Sequence, residues 1–245
     1  RNVTQTLNDC DIETDLFYSS LYCLGSFCLS KTNISLGSTI IDFGHEKTSL
    51  AIFEKSLIHA HTIPIGMNHI AKDISRGCSL SLDESELIKN ELDSINEEDT
   101  KNNYSQANDH LSKDFFRSTK FRKISKSLID SIATARVEEI CELLKKEIFF
   151  SGLDMTAGKN IFITGGGSNI AYLEKFFSDF FNCDIKRLNI KKNFTSIEKK
   201  SEEFNACFGA TKLITNGFET EAIAQETYKN GGKYGIFSRI FNTKE

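Results

Sequence analysis

The sequence predicts an α/β fold, because strand-like and helix-like patterns follow one another along the chain. Residues 38–44 and 50–54 are two apolar runs that flank a polar tip, which is the pattern of a β-hairpin. Residues 160–164 form another apolar run, and the glycines at 165–167 allow a tight turn before a helix. Between these strands, residues 123–150 carry apolar side chains at helical spacing.

The remaining elements of the first half are predicted from local patterns. Residues 56–62 alternate between apolar and polar side chains, which predicts a third strand. From residue 68 the pattern turns helical, and residues 81–84 resemble a capping box at the start of a second helix. Residues 94–113 are rich in Asn, Asp, Glu, Ser and Lys and have little to bury, so we expect a mobile surface loop or an irregular edge of a subdomain there.

The second half is predicted to consist of a long helix before the glycine turn, and of two helices and a short strand after it. The helix over residues 123–150 should end at Gly152. Residues 171–181 predict a helix whose aromatic side chains recur at helical spacing, which favours a core-facing stripe over a binding patch. Residues 185–188 predict an edge strand, and residues 203–215 predict a helix rich in small side chains.

Length and composition indicate a protein with one or two hydrophobic cores. The chain has 245 residues, of which 39% are hydrophobic and 26% are charged. It has no run of about eighteen apolar residues, so no membrane-spanning helix is predicted, and residues 1–6 lack the apolar core of a secretory signal. The net charge of -4 argues against a nucleic-acid-binding domain.

The cysteines and histidines give no metal signature. Seven cysteines are scattered without a CxxC pair or a spacing typical of zinc, so we expect reduced thiols in a cytosolic protein rather than a disulfide. His59 and His61 would share one face of the third strand and could be imagined as metal ligands. Because the sequence pattern offers no third ligand, we expect ordinary strand positions there.

Five segments resemble the FtsA family of bacterial cell division proteins, which belongs to the actin and MreB superfamily. They are the hairpin at 38–44, the segment 63–74, the Glu-x-x-Lys helix of Glu86 and Lys89, the segment 135–143, and the strand and glycine turn from residue 160. Their order and spacing match that family, and the resemblance runs from about residue 7 to about residue 213. It implies an actin-like (ribonuclease H-like) second domain with an inserted α+β subdomain, together with the end of the first domain.

The resemblance also implies a division of the chain into domains. We expect, in chain order, a first-domain remnant with a strand at 16–18 (residues 1–35), the second-domain core (36–67 and 124–215), the inserted subdomain (68–123), a linker (216–232) and an amphipathic membrane-targeting helix (233–245). Asp42 begins the one Asp-x-Gly turn of the sequence, whereas a complete member carries another near its start. The residues before Asp42 are too few for a whole first domain, so we expect an N-terminally truncated chain.

A site for ATP with Mg²⁺ is implied by the same resemblance, since the family holds this nucleotide between its two domains. The resemblance assigns the phosphates to Asp42, Gly44 and Thr48, the metal to Asp42, the nucleoside to Gly165, Gly166 and Gly167, and the ribose or adenine to Glu86 and Lys89. Each assignment has a physical basis, because a carboxylate can hold a hydrated Mg²⁺ ion and glycines admit a close approach of the backbone.

The phosphate turn departs from the family pattern at its tip. The family usually has Asp-x-Gly-Gly-Gly-Thr-Thr-Asp, whereas residues 42–49 of this chain are Asp-Phe-Gly-His-Glu-Lys-Thr-Ser. His45 and Glu46 therefore replace glycines, and a carboxylate is placed near the polyphosphate, where Lys47 can offset its charge. We expect weak or absent ATP binding, at most a weak ATPase activity, and no catalytic residue among these positions.

The last residues of the chain can form an amphipathic helix. Tyr234, Phe237, Ile240 and Phe241 would lie on one side of it, and Lys233, Arg239 and Lys244 towards the other. Such a helix lies in the interface of an anionic membrane. The alternatives are a disordered tail or a helix that packs on the protein itself, but the resemblance to the FtsA family favours the membrane.

The function implied by the resemblance is that of an actin-like adaptor. Such a protein anchors the ring of FtsZ, the division tubulin homologue, to the cytoplasmic face of the bacterial inner membrane at the division site. The implied partners are the FtsZ C-terminal tail, docked in the inserted subdomain, further copies of the chain itself, the membrane surface and downstream septal division proteins. The alternatives are a PilM-like or MreB-like assembly protein of the same fold, or an actin-fold ATPase or kinase.

Overall fold

The structure is a computed structural model that describes residues 2–92, 109–153, 160–169, 171–188 and 204–215. Its strands are β1 (Ser38–Phe43), β2 (Thr48–Glu54), β3 (Ser56–Ile63), β4 (Ile161–Thr164) and β5 (Ile185–Arg187). Its helices are α1 (Asn2–Asn8), α2 (Ser20–Cys28), α3 (Lys31–Leu36), α4 (Met67–Cys78), α5 (Leu82–Asn90), α6 (Lys126–Ser151), α7 (Ala171–Phe181) and α8 (Asn205–Thr215).

The strands of the described residues form one mixed sheet in the order β3-β2-β1-β4-β5. β1, β2 and β3 pair antiparallel, which confirms the predicted hairpin and third strand, while β1, β4 and β5 pair in parallel. β1 and β2 are buried along almost their whole length because both faces of the sheet are covered. The edge strand β3 instead alternates between exposed and half-buried side chains.

A hydrophobic core lies on each face of the sheet. On the first face, α4, α5, α6 and α7 pack on β1, β2 and β4, and the rings of Phe43 and Phe177 meet edge to face with their centroids 4.9 Å apart. On the second face, Leu21 and Leu24 of α2 pack against Ile40 of β1. Burying each large apolar side chain contributes roughly 1.5–3 kcal/mol, so both cores stabilise the sheet.

Local capping signals set the ends of α5 and α6, and the sequence predicts two of them, the capping box at residues 81–84 and the stop at Gly152, whereas α6 begins three residues later than predicted. Ser81 begins α5, where its side chain accepts a hydrogen bond from the Glu84 N–H and the Glu84 carboxylate accepts one from the Ser81 N–H. α6 begins after Ser125, whose side chain accepts a hydrogen bond from the Leu128 N–H. It ends at Gly152, which has a positive φ of 69°.

The N-terminal segment differs from the sequence prediction in one respect. Residues 16–18 form no strand, and Leu16 and Phe17 are 58% and 66% exposed. Their apolar character predicted a strand, but a strand needs a hydrogen-bonded partner, and no described strand lies beside them. α2 and α3, which we assigned to the first-domain remnant, pack on the sheet. The domain division itself stays a prediction.

Several predicted segments lie wholly or largely outside the described residues. They are most of the loop at 94–113, the linker at 216–232 and the amphipathic helix at 233–245, which contains the proposed membrane residues Tyr234, Phe237, Arg239, Ile240 and Phe241. Within the described ranges, no helix is both long and apolar enough to cross a membrane.

Candidate functional site

The two glycine-containing turns lie side by side at one end of the sheet. Asp42, near the end of β1, is the parallel partner of Thr164, the last residue of β4, so the hairpin tip and the 165–167 turn leave the sheet as neighbours. Gly165 has a φ of 87°, and a Cβ atom there would lie 2.4 Å from Asp42 Oδ1. Only glycine fits this position without a clash or backbone strain. The structure therefore brings Asp42, Gly44 and the glycine turn together.

The glycine turn also packs against the start of α4. A Cβ atom on Gly167 would lie 2.2 Å from the Met67 Cγ atom. Gly166 is different, because it is exposed and a Cβ atom there would meet nothing within 4 Å. The Ser168 hydroxyl donates a hydrogen bond of 2.7 Å to the Gly165 carbonyl and closes the turn. The turn thus presents open backbone only at Gly166.

The hairpin tip is tied to the first turn of α4. The Met67 N–H donates to the Gly44 carbonyl at 3.0 Å, and the Asn68 N–H donates to the His45 carbonyl at 2.8 Å. Within the tip, the Gly44 N–H donates to the Lys47 carbonyl at 2.9 Å. The first N–H groups of a helix have no partner inside the helix, and here the tip supplies partners for two of them.

Glu46 binds α4 through its side chain. Its carboxylate accepts hydrogen bonds from the Asn68 side-chain amide and, with both oxygens, from Lys72 Nζ at 3.1 and 3.2 Å. The Asn68 and Lys72 hydrogen bonds hold the pKa of Glu46 below its ordinary value. The sequence suggested Lys47 as the cation that offsets this carboxylate, which is wrong because the contact is made by Lys72. Asn68 and Lys72 were not singled out as functional, although they are four residues apart on one helix face.

Lys47 acts electrostatically on Asp42 rather than on Glu46. Asp42 is half-buried, and burial raises the pKa of its carboxyl group, while the positive charge of Lys47 opposes that rise. Thr48, the other side chain that the resemblance assigned to phosphate, is fully buried. Its hydroxyl donates a hydrogen bond of 2.8 Å to the Ile65 carbonyl, so it lies inside the fold.

Glu86 and Lys89 form an ion pair on α5. Lys89 Nζ lies 2.6 Å from Glu86 Oε2, and the lysine side chain is almost completely buried. Glu86 Oε1 is also buried, and no described atom is hydrogen-bonded to it. A pocket of about 370 Å³ opens beside it, lined by Asp83, Glu84, Glu86, Leu87, Asn90, Arg117 and Ser118. An unpartnered buried carboxylate oxygen beside a pocket is suited to a ligand that donates a hydrogen bond.

Glu84 shapes the wall of this pocket. Its buried carboxylate accepts hydrogen bonds from the N–H groups of Ser81, Ser118 and Thr119 and from the Thr119 hydroxyl, at 2.7–3.0 Å. Burial alone would raise the pKa of Glu84, but the hydrogen bonds from Thr119, Ser118 and Ser81 together bring it far below its ordinary value. The capping-box pattern predicted the contact with Ser81, and nothing in the sequence indicated the other two residues.

The two histidines of β3 share a partner on α6. Glu147 Oε1 lies 3.1 Å from His59 Nε2 and 3.2 Å from His61 Nδ1. The prediction that the histidines lie on one face of the strand is confirmed. The Glu147 carboxylate joins the edge strand to the longest helix of the described residues.

Comparison with known protein families identifies the family of this chain. Residues 39–209, which contain the sheet, both turns and the Glu86–Lys89 pair, match the family model of the cell division protein FtsA. The chain belongs to the FtsA family.

Individual FtsA proteins are similar to this chain at low identity. FtsA of Agrobacterium fabrum is 27% identical over 189 residues, which cover 71% of this chain and 39% of that protein. FtsA of Neisseria meningitidis serogroup B is 26% identical over 249 residues, covering 98% of this chain and 58% of that protein. The chain thus spans about two fifths of the length of the Agrobacterium FtsA.

Solved structures confirm the actin-like fold. The chain superposes on MreB5 of Spiroplasma citri bound to ADP with a TM-score of 0.62 and 16% identity, covering 89% of this chain and 66% of that one. It superposes on the PilM-PilN type IV pilus biogenesis complex with a TM-score of 0.60 and 15% identity, covering 89% of this chain and 57% of that chain. At such identities the likeness establishes the fold alone.

The residues of this FtsA chain fit only part of a bound nucleotide. Of the positions that the resemblance assigned to the nucleoside, Gly166 has open space beside its backbone, and Glu86 Oε1 is an unpartnered hydrogen-bond acceptor on α5. At the phosphate end, Thr48 is buried and the Glu46 carboxylate already holds Asn68 and Lys72. The side chains of the hairpin therefore do not fit a triphosphate with its metal ion.

Proposed function

We propose that this chain acts as an FtsA-type adaptor, which links FtsZ to the cytoplasmic membrane at the division site and assembles with copies of itself. The observation that carries the proposal is the FtsA family match over residues 39–209, because that range contains the sheet, the two turns and the Glu86–Lys89 pair. The similarity to the Neisseria FtsA extends over 98% of the chain, so it is not limited to the residues that form the sheet.

Membrane attachment is assigned to residues 233–245. Tyr234, Phe237, Ile240 and Phe241 would enter the acyl boundary, while Arg239 and its neighbouring lysines would meet anionic headgroups. Residues 216–232 are the proposed linker, so that the helix can reach the bilayer independently of the folded part. This places the protein on the inner face of the cytoplasmic membrane as a peripheral protein.

Docking of the FtsZ C-terminal tail is assigned to the inserted subdomain, residues 68–123. The described part of this range contains the pocket of about 370 Å³ beside α5, with Leu87 as its apolar wall and Arg117 as a cationic one. A pocket of this size, with an apolar wall and a few polar groups, can hold one side chain of a bound peptide. We therefore assign the tail to this pocket.

Nucleotide hydrolysis is not part of the proposed function. Asp42 is half-buried beside the charge of Lys47, and Ser49, in the place of the final Asp of the family motif, shares a hydrogen bond with Thr62 at 3.0 Å. Ser49 therefore lacks the carboxylate that could position a water molecule at this place in the motif. We propose that nucleotide binding, where it occurs, is weak and relies on the glycine turn, because the pocket beside Glu86 is assigned to the FtsZ tail and the hairpin side chains do not fit a triphosphate with its metal ion.

Co-sedimentation with anionic liposomes, with and without FtsZ, tests the adaptor. We expect the intact chain to bind the liposomes and to recruit FtsZ, and we expect a chain ending at Gly232 and the Phe237→Asp variant to lose both. Phe218→Asp in the proposed linker is the matched control, since it makes the same change outside the amphipathic helix. Failure of the intact chain to bind liposomes or FtsZ would contradict the proposal.

A further inference from the structure

We propose that the hairpin tip of this chain is closed by its own side chain, with the Glu46 carboxylate in the place that an anionic ligand group would otherwise take at the start of α4. The inference rests on the nucleotide part of the proposed function and is independent of FtsZ and the membrane. On this proposal Glu46 is a specificity residue, because its carboxylate excludes phosphate groups from the hairpin tip.

The contacts of the tip leave little for an anion to bind. The N–H groups of Met67 and Asn68, at the start of α4, already donate to the Gly44 and His45 carbonyls. The side-chain amide of Asn68 donates to Glu46, and Lys72 Nζ reaches both Glu46 oxygens. Backbone N–H groups at a helix start and a nearby lysine are the groups that commonly bind phosphate, and here each has a partner within the chain.

The expected effect is on ligand binding more than on stability. The Glu46 and Lys72 side chains are 57% and 35% exposed, and such surface pairs contribute little to the free energy of unfolding. An incoming anion, however, must displace the carboxylate from Asn68 and Lys72 and must also approach its negative charge. Replacing the carboxylate by an amide of the same shape removes the charge repulsion and weakens the contacts with Asn68 and Lys72 that the anion must displace.

Calorimetric titration with inorganic pyrophosphate, without FtsZ or liposomes, tests the proposal on the full chain. We expect Glu46→Gln to bind pyrophosphate at least about tenfold more tightly than the parent chain, because one unit charge at close range is removed. Glu54→Gln is the matched control, since it removes the same charge from the far, exposed end of β2. Adding Lys72→Met to Glu46→Gln should abolish the gain.

A second measurement, hydrogen exchange, tests the proposal without relying on the measured binding constants. Amide hydrogen exchange of Met67 and Asn68 reports on the backbone bonds between the tip and α4, which the Glu46 side chain reinforces through its contacts with Asn68 and Lys72. We expect faster exchange in Glu46→Gln than in the parent chain, and slower exchange again when pyrophosphate is added to the variant. Equal pyrophosphate binding by the parent chain and Glu46→Gln, including no binding by either, would overturn the proposal. Unchanged exchange in the variant would do the same.

Discussion

The carboxylate of Glu84 accepts hydrogen bonds from both the backbone N–H and the hydroxyl of Thr119, at 2.9 and 3.0 Å. With the N–H groups of Ser81 and Ser118, four donors converge on one buried side chain. The contacts join the start of α5 to a segment more than thirty residues downstream. They therefore hold the wall of the pocket that we assign to the FtsZ tail.

Replacing Glu84 by Gln should destabilise the fold. The amide cannot accept all four hydrogen bonds, and its NH₂ group would face the N–H donors, so we expect a loss on the order of 2 kcal/mol in the free energy of unfolding. Urea denaturation of the two proteins measures the loss. Glu91→Gln, at the exposed C-cap of the same helix, is the control and should change the value by less than about 0.5 kcal/mol. Equal effects of the two variants would contradict the role of Glu84.

Stability should depend on pH through the same carboxylate. The folded state holds the pKa of Glu84 far below its ordinary value, so the unfolded chain takes up a proton first as the pH falls. The contribution of Glu84 is therefore complete above about pH 5 and is lost progressively below the unfolded pKa of about 4.3. We expect urea midpoints to fall between pH 6 and pH 3, with a shallower fall in Glu84→Gln. Parallel curves for the two proteins would exclude this source of the dependence.

Gly165 and Gly166 should respond very differently to the same substitution. Ala at 165 would place a methyl group against Asp42 and force a non-glycine residue to a φ of 87°, so we expect a loss of roughly 2 kcal/mol or more. Ala at 166 meets open space and should change stability by less than about 0.5 kcal/mol. Thermal unfolding of both variants measures the contrast. A fully tolerated Ala at 165 would show that the turn can rearrange.

Filling the pocket beside α5 should weaken FtsZ recruitment. Leu87→Arg puts a long cation into the pocket, and we expect at least a tenfold weaker interaction with an FtsZ C-terminal tail peptide, measured by fluorescence anisotropy. Leu82→Arg is the control, because Leu82 is exposed on the same helix outside the pocket. Melting temperatures of both variants separate binding from folding. If both variants bind the peptide as the parent chain does, the tail docks elsewhere.

The accuracy of the sequence predictions depends on whether each structural signal is local. The capping box of Ser81 and Glu84 is written in four adjacent residues, and the aromatic spacing of α7 predicts its bounds as observed. The strand prediction at residues 16–18 was wrong, because strand formation depends on a neighbouring strand that the hydrophobic pattern of the segment does not reveal. Lys72 as the partner of Glu46 was missed for the same reason, since their contact spans 26 positions.

The helix α8 returns to the beginning of the folded chain. Gly209 lies so close to α2 that a Cβ atom there would be 2.1 Å from the Cys23 carbonyl oxygen, and Lys212 Nζ donates to the Ser26 carbonyl at 2.9 Å. Both helices cover the face of the sheet opposite to α4 and α5. α8, which ends at Thr215, therefore lies on the opposite face of the sheet from α5 and its pocket. On the proposed function, the sheet would separate the two partners. The membrane would lie towards the face covered by α2 and α8, and the FtsZ tail would bind on the face covered by α4 and α5.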